Sequence, residues 1–134
     1  MINKINHIGI AVNNLEKAEQ LFSQILKHSK SHSEDVTDQG VKISFFKVGD
    51  ILLELTEATN PDSPIAKYIE KRGEGIHHIS VEVDNIDYEL QRLKAEGFQL
   101  IDEKPRTGAG GYRIAFIHPK SVNGVLIELC EIHK

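Results

Sequence analysis

The sequence predicts an α+β fold made of two βαβββ modules in tandem, and three observations carry that prediction. Asn6-His7-Ile8-Gly9-Ile10-Ala11-Val12-Asn13-Asn14-Leu15 aligns without a gap with His77-His78-Ile79-Ser80-Val81-Glu82-Val83-Asp84-Asn85-Ile86, a step of 71 residues. Ile51-Leu52-Leu53-Glu54-Leu55-Thr56-Glu57 aligns with Val125-Leu126-Ile127-Glu128-Leu129-Cys130-Glu131 at a step of 74 residues. Each half also passes through the same succession of hydrophobic periods, first that of a strand and then that of a helix. The three residues gained between the two markers belong in a connecting loop, where an insertion disturbs no packed element.

Module one occupies 1–59. It opens with a strand in which Ile8, Ile10 and Val12 share one face and His7, Gly9 and Ala11 the other. A helix follows, capped by Asn13 or Asn14, with Leu15, Ala18, Leu21, Phe22, Ile25 and Leu26 at helical spacing. Extended segments are expected near 29–36, 40–48 and 50–57. A connecting helix lies within 60–73, with Ser63 as its cap, Pro64 at its first position and Gly73 at its close. Module two, 74–134, repeats the plan: Asp84 or Asn85 is the cap, Ile86, Leu90 and Leu93 form the stripe, and Gly97 stops the helix. Its later extended segments are expected near 98–103, 112–118 and 124–131.

A chain of 134 residues can bury one sizeable core without staples, so 1–134 reads as a single domain. The one cysteine, Cys130, has no partner for a disulfide within the chain, which fits a cytoplasmic, reducing environment. Met1–Val12 has no apolar run of spanning or signal-sequence length, so no membrane partner is expected. With 16 Lys and Arg against 20 Asp and Glu, the net charge of -4 argues against nucleic acid and favours a small-molecule partner. Lys104, Arg106, Arg113 and Lys120 form a local basic set able to meet a phosphorylated ligand, and Thr107-Gly108-Ala109-Gly110-Gly111 could bring backbone N–H groups close to an anion.

The repeat turns isolated polar residues into a symmetric set, because His7 corresponds to His78 and Glu54 to Glu128. Strand alternation sends all four side chains away from the apolar face of their strands. If that face is the concave side of a curved, largely antiparallel sheet, two imidazoles and two carboxylates converge on one cavity and can hold a divalent ion. Nitrogen and oxygen donors together suit cobalt, manganese, zinc, nickel or iron, and two positions of an octahedral ion stay open for a bidentate ligand. His77 has the opposite parity and is assigned to packing, His118 to the turn after a strand, and His28, His32 and His133 carry no spacing signal.

Ile5-Asn6-His7-Ile8-Gly9-Ile10-Ala11-Val12, Asp62-Ser63-Pro64-Ile65-Ala66-Lys67, Gly73-Glu74-Gly75-Ile76-His77-His78-Ile79, and His118-Pro119-Lys120 followed by Gly124-Val125-Leu126-Ile127-Glu128-Leu129 together resemble the methylmalonyl-CoA epimerases of the vicinal oxygen chelate superfamily, whose fold is the glyoxalase fold. The resemblance spans nearly the whole chain and implies a homodimer acting on an acyl-CoA. It implies metal ligation by His7, Glu54, His78 and Glu128, with Co2+ the metal usually linked to the family. The implied reaction interconverts the 2R and 2S epimers of methylmalonyl-CoA by removing the C2 proton, through an enolate that the metal stabilises. Glu128 is the first catalytic base to consider and Glu54 the second. The position of Glu54 can carry Gln in this family, and a glutamate proposed as the second base in one member falls at Ile43 here. A glyoxalase-I-like lyase and a non-catalytic small-molecule-binding protein share the fold and are the alternative readings.

Overall fold

The computed structural model describes residues 1–132, so His133 lies outside the described residues. The element order is β1 (Ile2–Ala11), α1 (Leu15–Leu26), β2 (His32–Val36), β3 (Val41–Val48), β4 (Ile51–Ala58), α2 (Pro64–Arg72), β5 (Gly75–Val83), α3 (Ile86–Ala95), β6 (Arg106–Thr107), β7 (Arg113–Ile117) and β8 (Ile127–Glu131). Each half is thus βαβββ, with α2 joining them. The contacts divide the chain into two compact units, Ile8–His77 and a second made of Met1–His7 with the residues from His78 onward.

In the Ile8–His77 unit the strand order is β2-β3-β4-β1, with β2–β3 and β3–β4 antiparallel. Asn14 supplies the α1 cap, its side chain accepting from the Lys17 N–H at 3.0 Å. Val12, Leu15, Ala18, Phe46 and Leu55 form the core, and Phe22 and Leu26 pack against it. Residues 15, 18, 22 and 26 define one helical stripe, whereas Leu21 and Ile25 of the expected apolar face stand off it and are exposed. The connecting helix begins as its sequence predicts: Ser63 accepts from the Ile65 N–H, Pro64 occupies the first turn, and the Gly73 N–H closes on the Ile69 carbonyl.

In the other unit the order is β1-β5-β8-β7-β6. β8 runs parallel to β5 and antiparallel to β7. Asn85 caps α3 by accepting from the Tyr88 N–H at 3.0 Å. Val83, Ile86, Leu90, Leu93, Ala115, Ile117 and Leu129 form its core. A fully buried Leu or Ile side chain of this kind contributes about 1.5–3 kcal/mol by leaving water.

The registers locate the three inserted residues. Glu54 stands opposite Phe45 and Glu128 opposite Phe116. The steps from Phe45 to Glu54 and from Phe116 to Glu128 are 9 and 12 residues, so the insertion lies in the β7–β8 connection, which carries His118-Pro119-Lys120. The segment expected to be extended near 98–103 makes one isolated bridge, Leu100 with Ile117, and β6 is confined to Arg106–Thr107. There the Asp102 carboxylate accepts the Phe116 N–H at 2.9 Å in place of a strand carbonyl, and Pro105 has no N–H to offer.

Candidate metal centre

β5, β7 and β8 present one polar face because their pairing is in phase. Ser80 is the register partner of Glu128 across the parallel β5–β8 ladder, and Phe116 is its partner across the antiparallel β7–β8 ladder. His78 lies two residues before Ser80, so it shares that face. The odd-numbered residues of the same strands, Val83, Ala115, Ile117 and Leu129, point into the core under α3.

His7, from β1, and Glu128 are both buried. His7 Nε2 lies 3.0 Å from His78 Nε2 and 3.2 Å from Glu128 Oε1. One ligand atom from each of the three residues falls within 4.8 Å of the others, a spacing at which all three could hold one metal ion. The rings of His7 and His78 meet edge to face, and Phe116 meets the His78 ring in the same way with centroids 5.6 Å apart. Arg106 lies over the same Phe116 ring, with its guanidinium carbon 5.4 Å from the centroid.

The donor set fits a divalent cation. Burial alone would push the Glu128 carboxyl up, but the hydrogen bond with His7, the charges of His78 and His7, and Ser80 outweigh it and hold the group below its ordinary value. Glu128 therefore stays a carboxylate, the form that binds metal. Two imidazole nitrogens and a carboxylate oxygen are hard-to-borderline donors suited to a first-row divalent ion.

Glu54, the fourth residue expected here, is buried on β4 in the Ile8–His77 unit, opposite Phe45. The group of three does not include it. Ile43 is also buried, and it pairs with Thr56, two residues beyond Glu54 on the same face of the β3–β4 hairpin. His77, as its parity indicates, is engaged elsewhere: it meets the Tyr68 ring edge to face with centroids 4.9 Å apart. His118 accepts the Lys120 N–H in its own turn. Arg113 is committed to Asp87 and Glu131 at 3.0 and 3.2 Å. Asn6 is the residue that sequence reasoning missed. Its Oδ1 lies 2.7 Å from His7 Nδ1, and no repeat signal marks it because its counterpart in module two is His77.

The sequence profile of the Glyoxalase/Bleomycin resistance protein/Dioxygenase superfamily matches residues 6–116. The chain is 37% identical to the ethylmalonyl-CoA/methylmalonyl-CoA epimerase of Cereibacter sphaeroides, an alignment covering 98% of this chain and 100% of the relative. The crystal structure of methylmalonyl-CoA epimerase from Mycobacterium tuberculosis superposes with a TM-score of 0.94 at 35% identity, over 99% of this chain and 90% of that one. A methylmalonyl-CoA epimerase in complex with methylmalonyl-CoA and NH4+ superposes with a TM-score of 0.93 at 33% identity, over 98% and 95% of the two chains. Among the described residues no helix is long and apolar enough to cross a membrane.

Proposed function

Because this chain belongs to the methylmalonyl-CoA epimerases of the Glyoxalase/Bleomycin resistance protein/Dioxygenase superfamily, we propose that it interconverts the 2R and 2S epimers of methylmalonyl-CoA with a divalent cation, cobalt first, held by His7, Glu54, His78 and Glu128. The observation that carries the reading is the convergence of His7, His78 and Glu128 within 4.8 Å. Glu54 joins them on the strength of the internal repeat, in which it matches Glu128, and of its buried carboxylate on β4.

The C2 hydrogen of methylmalonyl-CoA lies between a thioester, which acidifies it, and a carboxylate, whose own negative charge opposes its removal until a cation offsets it. When bound, the cation supplies Lewis acidity that stabilises the enolate charge developing as C2 loses its proton. Glu128, ionised and buried, takes that proton from one face. Epimerisation needs a second group to deliver a proton to the opposite face, and Glu54 is assigned that role. The glutamate proposed as the second base in one family member falls at buried Ile43 here, while Glu54 stands at a position that can carry Gln in the family. Since Ile43 and Glu54 share one face of the β3–β4 hairpin, the exchange keeps one carboxylate on that face.

The test follows deuterium incorporation at C2 of methylmalonyl-CoA by NMR, with chiral analysis of the product, on metal-stripped and cobalt-restored protein. Cobalt-dependent exchange with formation of the second epimer is expected. Absence of exchange with cobalt, manganese, zinc, nickel and iron, or turnover of a glutathione thiohemiacetal instead, would overturn the reading.

A further inference from the structure

We infer that Ser80 is a positioning residue whose hydroxyl holds the side chain of Glu128 in place, and that this hold sets Glu128 apart from its repeat partner Glu54. The inference rests on the site reading above, but its first step, a bond between two side chains of one compact unit, concerns the protein alone. Ser80 is fully buried, and its Oγ makes no hydrogen bond of ordinary length and angle among the described residues. A hydroxyl buried without a partner costs free energy that alanine would avoid, so a serine here calls for an acceptor close by. Ser80 and Glu128 are partners across the parallel β5–β8 ladder. Their side chains leave the same face of neighbouring strands roughly 4.8 Å apart, and the carboxyl group is within reach of the hydroxyl. The neighbour of Glu128 on its other side is Phe116, which has no hydrogen to donate.

The internal repeat breaks at this position. His7 matches His78 and Glu54 matches Glu128, but Ser80 matches Gly9, which has no side chain. The two carboxylates that the repeat makes equivalent therefore differ in what stands at the corresponding place on the first strand of their module. Glu128 has a hydroxyl there, and Glu54 has a glycine. A side chain tied down from the neighbouring strand loses less freedom when it engages a cation or a substrate, and it keeps one orientation while doing so. Ser80 thus fits Glu128 for a task that needs a fixed carboxylate.

The experiment compares the parent with Ser80→Ala, which removes only the hydroxyl, and Ser80→Thr, which keeps it. Chemical denaturation of metal-free protein closes a double-mutant cycle with Glu128→Ala and the Ser80→Ala/Glu128→Ala double variant. If the bond exists, Ser80→Ala should destabilise the parent and cost less, or even stabilise, once Glu128 is gone. The second measurement uses Co2+-loaded protein, with loading confirmed by metal analysis. It reads the visible spectrum of the bound Co2+ and the kcat and KM of deuterium exchange at C2 of methylmalonyl-CoA. Ser80→Ala should shift the spectrum and lower kcat about 10–100-fold with KM little moved, and Ser80→Thr should restore both. An additive cycle overturns the inference, and so does a Ser80→Ala variant whose spectrum and kcat match the parent, as a merely structural serine requires. Should the parent show neither Co2+ binding nor C2 exchange while the cycle shows coupling, the site reading fails and the positioning role fails with it, but the bond between Ser80 and Glu128 stands.

Discussion

Nε2 of His7 and Nε2 of His78 stand 3.0 Å apart, with their ring planes at 88°. Two neutral imidazoles can tolerate that approach only if a hydrogen or a cation lies between the lone pairs. Removal of either ring should then abolish tight cobalt binding: His7→Ala and His78→Ala should show no saturable Co2+ titration at concentrations that fill the parent, and no cobalt-dependent C2 exchange. Equal Co2+ affinity in parent and both variants would place the ion elsewhere.

The second prediction separates ligation from proton transfer. Glu128→Gln keeps the size and one accepting oxygen of the side chain but gives up its charge. At saturating cobalt, confirmed by metal analysis, C2 exchange should fall by roughly 10²–10⁴, the usual contribution of a positioned base. If exchange persists near the parental rate with metal bound, the base is another group. A matching Glu54→Gln variant should retain wash-in of deuterium from one epimer while slowing formation of the other, because only one face loses its proton carrier.

How much of this was legible in the sequence follows from which interactions are local or periodic. The repeat, a cap at 13–14 and another at 84–85, and the shared face of His78 and Glu128 depend on spacing within an element or on a matching register, and spacing is what a sequence displays; the structure then chooses Asn14 and Asn85. The break between Leu100 and Arg106 was not legible, since it turns on the Asp102 carboxylate meeting an N–H 14 residues away. Leu21 and Ile25 fit the helical period as well as Phe22 does, yet only packing decides which stripe the sheet covers. Asn6 escaped because its partner is the adjacent residue on the opposite strand face, a contact that alternation argues against.

A long-range cap recurs in both modules and gives a third prediction. The Leu15 N–H at the start of α1 donates to Glu57 Oε1 at 2.6 Å, and the Ile86 N–H at the start of α3 donates to Glu131 Oε2 at 2.8 Å. Each carboxylate comes from the last strand of its module and meets the positive end of a helix dipole. Glu57→Ala should cost about 1 kcal/mol in urea unfolding. Glu131→Ala should cost more, because Glu131 also holds Arg113. Glutamine at either position should recover part of the loss by keeping an acceptor. No change in the unfolding midpoint of Glu57→Ala would mean that water caps the helix equally well.

The fourth prediction concerns acid. Burial pushes the Glu19 carboxyl up, but hydrogen bonds from Lys30 and Ser44 and the charges of Lys30 and Lys42 outweigh it and hold the group below its ordinary 4.5. Ser44 is fully buried on β3, so this contact ties α1 to the sheet within its unit. A depressed folded-state pKa contributes stability that is fully present above the unfolded-chain value and is lost as pH falls through the folded-state one. Glu19→Gln should therefore melt below the parent at neutral pH, with the gap narrowing as pH is lowered through and beneath 4.5. Part of the effect should also fade in high salt, since Lys30 is 41% exposed. A gap independent of pH would show that Glu19 acts by packing rather than charge.

Two glycines separate backbone strain from crowding. Gly49, in the β3–β4 turn, has φ +61°, and an added Cβ would meet no atom within 4 Å. Gly40, before β3, has nearly the same φ, +65°, but its added Cβ would lie 2.6 Å from Asn60 Nδ2 and 3.4 Å from the Cβ of Ser63, the cap of α2. Its carbonyl also accepts the Thr59 N–H at 2.8 Å, so the backbone there is not free to swing away. Gly49→Ala should cost about 1 kcal/mol, the usual penalty for placing a side chain in the left-handed region. Gly40→Ala should carry the same penalty and in addition displace Asn60, whose Oδ1 accepts the Asp62 N–H at 2.9 Å ahead of the connecting helix. Chemical denaturation of the two variants should therefore give a clearly larger loss at Gly40, and Asn60→Ala in the Gly40→Ala background should recover part of it by making room. Equal losses at the two positions would show that Asn60 moves aside at no cost and that φ alone sets the penalty.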